Sequence, residues 1–258
     1  MKIAKLSLKK IWYSQFAVSD IVGASFLVSI IIGLPYFVLF AKQKLIVQSD
    51  VVSFITGAKM VRSGVKSEIY DLPTQHFYQN QVVAPFIKEN VLPFKNFPLF
   101  SLPFIPFTFL PLRVSYTIFA FFNLSLLVLF VFVSAKTFNN IRKFRLWFIA
   151  TFVFLPNILA MIVGQLSIML VFFYLLIYKF IKDKKVFLAG VISGFLLVKP
   201  QYVVAVPFFF LLVKNRLDYL KGFLIVVLVL IISTLIISGP DSLLKYPSSP
   251  YCPTRFSS

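Results

Sequence analysis

The sequence predicts an all-α protein, a bundle of helices that crosses a lipid bilayer about seven times. Two observations predict this class: the high apolar content of the chain and the arrangement of the apolar residues in long runs. Of the 258 residues, 59% are apolar, and they are concentrated in long runs with very few charges, separated by short basic segments. A soluble domain has an apolar fraction nearer to half. Phenylalanine accounts for 33 residues, which suits contact with lipid better than a compact aqueous core.

The formal net charge of +18 raises the alternative of a nucleic-acid-binding protein. The lysines and arginines, however, separate the apolar runs instead of forming a continuous surface. This arrangement is typical of the positive-inside rule and of attraction to anionic lipid head groups. We therefore expect membrane lipid as a partner and no nucleic acid.

The residue inventory restricts the chemistry that the chain can perform. Cys252 is the single cysteine and His76 the single histidine, so neither an internal disulfide nor an ordinary zinc site can form. No phosphate-binding loop, dinucleotide-binding glycine motif or zinc-protease motif is present. Any catalysis must use carboxylates, amides and lysines, and we predict no metal site.

Residues 22–40 form the first predicted span. At about 1.5 Å per residue this run is long enough for the hydrocarbon core. Four lysines precede it, and no convincing cleavage site of small residues follows. We predict a retained helix with the N-terminus in the cytoplasm.

Residues 41–97 form the predicted first extracytoplasmic loop. Apolar residues recur at helical spacing over residues 50–62, which predicts an amphipathic helix lying on the membrane surface. Ser49 or Asp50 can cap its start, and Gly64 stands where such a helix would stop. Residues 98–112 are apolar but interrupted by four prolines, which favours a re-entrant segment over a crossing helix.

Six further spans complete the predicted transmembrane domain, residues 1–239. They lie at 114–135, 146–163, 166–178, 186–198, 201–213 and 222–238. With a cytoplasmic N-terminus, the basic clusters after residues 135, 178 and 213 all fall inside the cell, as the positive-inside rule requires. The 41–97 loop is the discordant region, because it is basic, with Lys42, Lys44, Lys59, Arg62, Lys66, Lys88 and Lys95, although long segments constrain orientation less. We predict a multi-pass protein of the plasma membrane, with an irregular tail at 240–258.

Four polar or turn-forming residues fall on the predicted outer face at one depth: Asp50, Gly164, Gln165 and Lys199. Asp50 is either a general base for an acceptor hydroxyl or a helix cap, and the residues alone favour the cap. Lys199 either binds a lipid-linked phosphate or extends to the head groups from a helix end. Gln165 either binds a sugar hydroxyl or joins helices, and Gly164 is a turn or a point of close approach. Tyr70 can be an ordinary loop residue.

A wider constellation carries a family resemblance. It comprises Asp50, Gly57 with Ala58, Gly64, Ile69 with Tyr70 and Asp71, Phe97 to Phe100, Gly164 with Gln165, Ala189 with Gly190, Gly194, and Lys199 with Pro200. In order and spacing, from about residue 45 to residue 215, these residues resemble glycosyltransferase family 87, a membrane family of the GT-C class. The resemblance implies a GT-C-like helix bundle.

The resemblance also implies an activity. The family comprises polytopic transferases that use a polyprenyl-phosphate sugar, often mannose, and it includes α-1,2-mannosyltransferases acting on glycolipids. GT-C enzymes place a catalytic aspartate in the first outer loop, which implies Asp50 as the base here. Gln165, Lys199, Tyr70 and Gly164 are then the expected substrate-binding residues. A divalent metal is compatible with this chemistry but is not required.

The chain departs from the family pattern at two positions. Phe97, Pro98 and Leu99 stand where members commonly have Tyr-Pro-Pro, and Ser167 stands where they commonly have Asn. Members are also longer, which suggests that this chain is shortened at its C-terminus.

The expected function is transfer of a hexose, with mannose favoured, to a lipid or glycan acceptor at the extracytoplasmic face. A transporter or flippase for a lipid-linked anion is one alternative, although no inverted repeat is visible in the sequence. An inactive structural membrane subunit is another, motivated by the unusual tail.

Overall fold

The computed structural model describes residues 41–138, 148, 151, 152 and 154–240 of the chain. Every regular element in these ranges is a helix, which confirms the predicted all-α class. The predicted first span and the tail after residue 240 lie outside the described residues, as does the expected cytoplasmic N-terminus.

The described ranges contain nine α-helices and five 3₁₀ helices. The α-helices are α1 Gln43–Val47, α2 Asp50–Arg62, α3 Leu72–Val83, α4 Leu112–Thr137, α5 Leu155–Val163, α6 Ser167–Lys182, α7 Val186–Gly194, α8 Val206–Leu212 and α9 Arg216–Ser238. The 3₁₀ helices are Lys66–Glu68, Pro98–Phe104, Pro106–Phe109, Phe195–Val198 and Pro200–Ala205.

Helices α4 and α9 are long and apolar enough to cross a membrane. They contain 26 and 23 residues, with mean hydropathies of 2.5 and 2.8. At 1.5 Å per residue they extend about 39 Å and about 34 Å, which exceeds a hydrocarbon core of about 30 Å. They cover the predicted spans at 114–135 and 222–238, so both predicted spans fall on helices with the length and composition that a membrane span requires.

The other predicted spans that fall on described residues are shorter helices. Helix α6 has 16 residues, and the apolar stretches Val186–Val198 and Gln201–Leu212 are shorter still. The predicted span at 146–163 is described only in part, ending in α5. Proline explains one interruption, because Pro200 follows the extended residue Lys199 and starts a new 3₁₀ helix. The count of about seven spans stays a prediction.

The predicted helix at 50–62 is present with the same bounds as α2, but it does not lie on the membrane surface. Nine of its 13 residues are buried within the protein, on all of its faces. The buried polar side chains bond within the helix, where Ser53 Oγ donates to the Asp50 carbonyl at 2.8 Å and Thr56 Oγ1 to the Val52 carbonyl at 2.7 Å. The expected surface position was wrong because apolar spacing cannot distinguish lipid from protein as the neighbour.

The proline-rich segment forms two consecutive 3₁₀ helices before α4 begins at Leu112. Its aromatic side chains join α2 to α4. The Phe104 ring lies 5.1 Å from the Phe54 ring of α2 and 5.9 Å from the Phe119 ring of α4, between centroids. The absence of a continuous helix over this segment agrees with the predicted interruption, and its re-entrant depth stays a prediction. The cluster holds the start of α2 against a spanning helix.

Glycines bring α7 into backbone contact with α9. A methyl group on Gly190 would lie 2.0 Å from the Tyr219 carbonyl oxygen, and one on Gly222 would lie 2.2 Å from the Phe187 carbonyl oxygen. Such close approach of small residues is typical of helix pairs in membranes. Tyr219 Oη also donates to Ser193 Oγ at 2.6 Å. This contact attaches α7, and the Lys199 turn that follows it, to the α9 span.

Candidate functional site

A cavity of about 240 Å³ opens beside the start of α2. It is lined by Asp50, Ser53, Phe54, Leu92, Pro93, Lys95, Asn96, Lys199 and Gln201. The residues come from α2, from the segment before Pro98, and from the turn between the 3₁₀ helices around position 199. The structure therefore brings Asp50 and Lys199, two of the predicted site residues, into one cavity although they are distant in the chain.

Asp50 is the first residue of α2, and it does not cap the helix. The N-cap position belongs to Ser49, and no side chain caps the helix start. Ser49 Oγ instead donates to the Ile46 carbonyl at 2.7 Å. A carboxylate in the first turn is stabilised by the positive end of the helix dipole. The capping alternative for Asp50 is thus not realised, and its side chain faces the cavity.

The electrostatics of Asp50 combine burial with two nearby lysines. Burial raises the pKa of the Asp50 carboxyl above its ordinary value, because removal from water disfavours the charged form. The positive charges of Lys199 and Lys88 oppose this rise by favouring the carboxylate. The result is a partly desolvated carboxyl whose proton affinity depends on two neighbouring cations, as is common for functional groups.

Lys88 is a site residue that sequence reasoning missed. Its ammonium is buried and donates to the Val47 carbonyl, just before α2, at 2.9 Å. Burial lowers the pKa of Lys88, and the Asp50 charge opposes that change. The signal in the sequence was the excess of lysine in a loop expected outside the cell, where the positive-inside rule does not account for it.

Two buried glutamines of α3 hold the wall of the cavity. Gln75 Nε2 donates to the Phe94 carbonyl at 3.2 Å while its Oε1 accepts from the Phe94 amide at 2.8 Å. Gln79 binds Leu92 in the same way, at 3.0 and 2.9 Å. Each glutamine amide bonds both the N–H and the C=O of one residue in an extended segment. In a sheet, a neighbouring strand would satisfy these backbone groups. Sequence reasoning missed both glutamines.

Tyr70 lies behind the cavity wall and does not line the cavity. Its side chain is 7% exposed, and its hydroxyl donates to the Asn96 carbonyl at 2.9 Å. Asn96 itself lines the cavity. The geometry therefore gives Tyr70 a supporting contact with the wall, and a contact of Tyr70 with substrate stays a prediction.

Gly164 packs against the start of α2. It ends α5 in the left-handed conformation, with φ +70°, which glycine adopts without strain. A methyl group there would lie 2.6 Å from Val51 Cγ2 and 3.6 Å from Ser49 Cβ. Gly164 is therefore both a turn residue and a point of close approach, next to Asp50.

Gln165 does not line the cavity. Its Oε1 accepts from Ser167 Oγ at 3.1 Å, at the start of α6. Its backbone carbonyl accepts from Asn123 Nδ2 of α4 at 3.3 Å. These bonds tie the Gly164 turn to a spanning helix, and a substrate contact by Gln165 stays a prediction.

The lysines at the end of α6 and before α7 lie at the opposite end of these helices from the cavity. Helix α6 starts beside the Gly164 turn and ends at Lys182, whose ammonium donates to the carbonyl of Thr137 at the end of α4. Helix α7 starts after Lys185 and leads to the Lys199 turn. The lysines between α6 and α7 therefore lie at the far end of these two helices from the cavity.

Over the described ranges, no three His, Cys, Asp or Glu side chains come together as a metal ligand set. Asp50 is the acidic residue among those that line the cavity, and two lysines accompany it. The lysines of the lining can therefore bind an anionic substrate. The Asp50 carboxylate beside them can take a proton from a second substrate.

The described fold is helical, and two of its helices are long and apolar enough to cross a membrane, which points to the class of helical membrane proteins. The sequence model of glycosyltransferase family 87 matches residues 94–251, which is more than half of the chain. The chain belongs to this family, so it is a glycosyltransferase that acts on a sugar donor and an acceptor. The match includes Lys95, Asn96, Lys199 and Gln201 of the cavity and begins after Asp50. No curated protein and no solved structure matches the chain.

Proposed function

We propose that this glycosyltransferase moves a hexose, with mannose favoured, from a polyprenyl-phosphate donor to a lipid or glycan acceptor. The observation that supports this most directly is the common cavity of Asp50 and Lys199. A carboxylate and an ammonium side by side suit a reaction in which a hydroxyl loses a proton and a phosphate gains charge.

The reaction is an inverting displacement. The acceptor oxygen attacks the anomeric carbon and forms the new glycosidic bond as the bond from that carbon to the phosphate oxygen breaks. Asp50 takes the proton of the acceptor hydroxyl. The polyprenyl phosphate leaves with the bonding electrons, and the ammonium of Lys199 offsets its increased negative charge.

Two features of the surroundings support a lipid-linked donor. The cavity lies beside 3₁₀ helices whose aromatic side chains pack against the α4 span, so a lipid phosphate could reach it from the bilayer. Lys95 lines the same cavity and adds a second cation beside Lys199. The lysines between α6 and α7, at the far end of these helices from the cavity, support a position of the cavity on the extracytoplasmic face.

The donor class is tested with membranes that contain the protein and radiolabelled mannose. We expect transfer from polyprenyl-phosphate mannose and none from GDP-mannose supplied without polyprenyl phosphate. In Lys199→Met, the KM for the lipid donor should rise roughly tenfold to a hundredfold, since a hydrogen bond to a charged group contributes about 1.5 to 3 kcal/mol.

Lys221→Met is the matched control for Lys199→Met. Lys221 lies in α9 with a side chain that is 70% exposed, on the side away from the cavity, and its loss should leave donor KM unchanged. Transfer from the nucleotide sugar alone, or an unchanged donor KM in Lys199→Met, would contradict the proposed donor site.

The proposed orientation predicts which residues react from outside the cell. In a Cys252→Ala background, Gln201→Cys should be labelled in intact cells by a membrane-impermeant maleimide, because Gln201 is exposed at the cavity. Lys185→Cys, exposed before α7, should react only after the cells are opened. Labelling of Lys185→Cys alone in intact cells would mean that the cavity faces the cytoplasm.

A further inference from the structure

Lys88 is the one charged residue, among those the structure describes, that is buried within the protein, with 9% of its surface exposed. A buried ammonium is costly unless it is paired or hydrogen-bonded. Its Nζ donates to the Val47 carbonyl at 2.9 Å, at the corner between α1 and α2. The proposed reaction does not use this side chain, so its burial requires another explanation.

The backbone of Lys88 is also fixed on both sides. Its amide donates to Asn80 Oδ1 at 2.8 Å, and its carbonyl accepts from His76 Nε2 at 2.7 Å. Both partners belong to α3, the helix whose glutamines hold the cavity wall. The segment that carries Lys88 is therefore bonded to α3, and its ammonium is held against the corner that precedes Asp50.

We propose that Lys88 is a positioning residue for Asp50. Its buried ammonium donates to the Val47 carbonyl and so fixes the corner before α2, which places the Asp50 side chain in the cavity beside a fixed positive charge. The proposal rests on the proposed role of Asp50 as the base. Lys88 itself lies outside the set of residues that line the cavity, so it acts through Asp50.

The charged groups around Asp50 come from three directions. Lys199 approaches from the turn after α7, Lys88 from the segment after α3, and Lys95 lines the same cavity from the segment before Pro98. His76 contacts the Lys88 carbonyl. Lys199 and Lys95 lie where substrate phosphate would bind, and an anion there would weaken their effect on Asp50. Lys88 is bonded to protein and keeps its effect when the donor is present.

Loss of Lys88 should increase the affinity of the Asp50 carboxylate for a proton. Burial raises the pKa of Asp50, and Lys88 is one of two cations that oppose the rise, so its removal raises the pKa further. A base must be ionised, so activity is present above the pKa of Asp50 and is lost as pH falls through it. In Lys88→Met the acid limb of kcat/KM should therefore move to higher pH.

A second readout needs no sugar transfer. A hydrophobic carbodiimide modifies protonated carboxyls, and mass spectrometry quantifies the product at Asp50 as a function of pH. The midpoint of this modification should move to higher pH in Lys88→Met and in Lys88→Gln, and Lys88→Arg should restore it towards the native value. Lys66→Met, at an exposed position, should leave it unchanged.

The outcomes separate the two proposals. If the folded Lys88→Met protein keeps the native midpoint and the native acid limb, the role of Lys88 is overturned. If Lys88→Met does not fold, Lys88→Gln decides, because glutamine is polar but uncharged, and a native midpoint there would overturn the proposal. If Asp50→Asn remains active, the proposed base fails, and the midpoint still decides whether Lys88 controls the charge of Asp50.

Discussion

Asp50→Asn is expected to lower sugar transfer by roughly 10² to 10⁴-fold, the range for removal of a general acid or base. The amide keeps the size of the side chain but cannot take the proton of the acceptor hydroxyl. Donor binding should persist, since Lys199 and Lys95 still line the cavity. The loss should therefore appear in kcat at saturating donor, measured with polyprenyl-phosphate mannose in membranes.

Asp71→Asn provides the matched control for this experiment. Asp71 accepts a hydrogen bond from the Thr74 amide at 2.9 Å and caps α3. Asparagine caps a helix about as well as aspartate, so the same chemical change there should leave transfer nearly unchanged. Full activity in a folded Asp50→Asn protein would exclude Asp50 as the base.

Gly190→Ala is expected to prevent stable packing of α7 on α9. The added methyl group would lie 2.0 Å from the Tyr219 carbonyl and 3.0 Å from the Phe223 amide nitrogen, both backbone atoms that cannot turn aside. The helices would have to separate, at a cost of about 1 to 3 kcal/mol or more. The yield of monodisperse protein and its thermal midpoint in detergent should both fall.

The same change should also reduce transfer, because α7 leads directly to the Lys199 turn. Leu188→Ala is the control on the same helix, since Leu188 is 40% exposed on the side away from α9. Gly222→Ala, whose methyl group would lie 2.2 Å from the Phe187 carbonyl, should repeat the defect from the partner helix. Native stability in both glycine variants would contradict the packing.

Local patterns predicted the helices well where one physical cause dominated. The uninterrupted apolar runs of α4 and α9 predicted helices with the length and composition of a membrane span, because the bilayer thickness sets the length to look for. The bounds of α2 also followed from spacing and a stop signal. The burial of α2 within the protein did not follow from the sequence, because the same apolar residues can face lipid or protein. The two short apolar stretches around Lys199 were expected as spans, and the turn there separates shorter helices.

The sequence also predicted some features of the candidate site and not others. Asp50 and Lys199 were expected to share one depth, and the structure brings both into one cavity. Tyr70 and Gln165 make hydrogen bonds within the protein, and the expected contacts of both residues with substrate stay predictions. A polar residue near a site either contacts substrate or supports the wall, and only the position of its partner distinguishes the two.

The sequence by itself determined the membrane class, the all-helical fold and the family resemblance, since these depend on composition, periodicity and the order of residues along the chain. Only the tertiary structure decided that α2 is buried, that Gln75 and Gln79 hold the cavity wall, and that Lys88 lies against the corner before Asp50. The physical reason is that burial, hydrogen bonding and charge interaction depend on distances in space between segments that are remote in the chain.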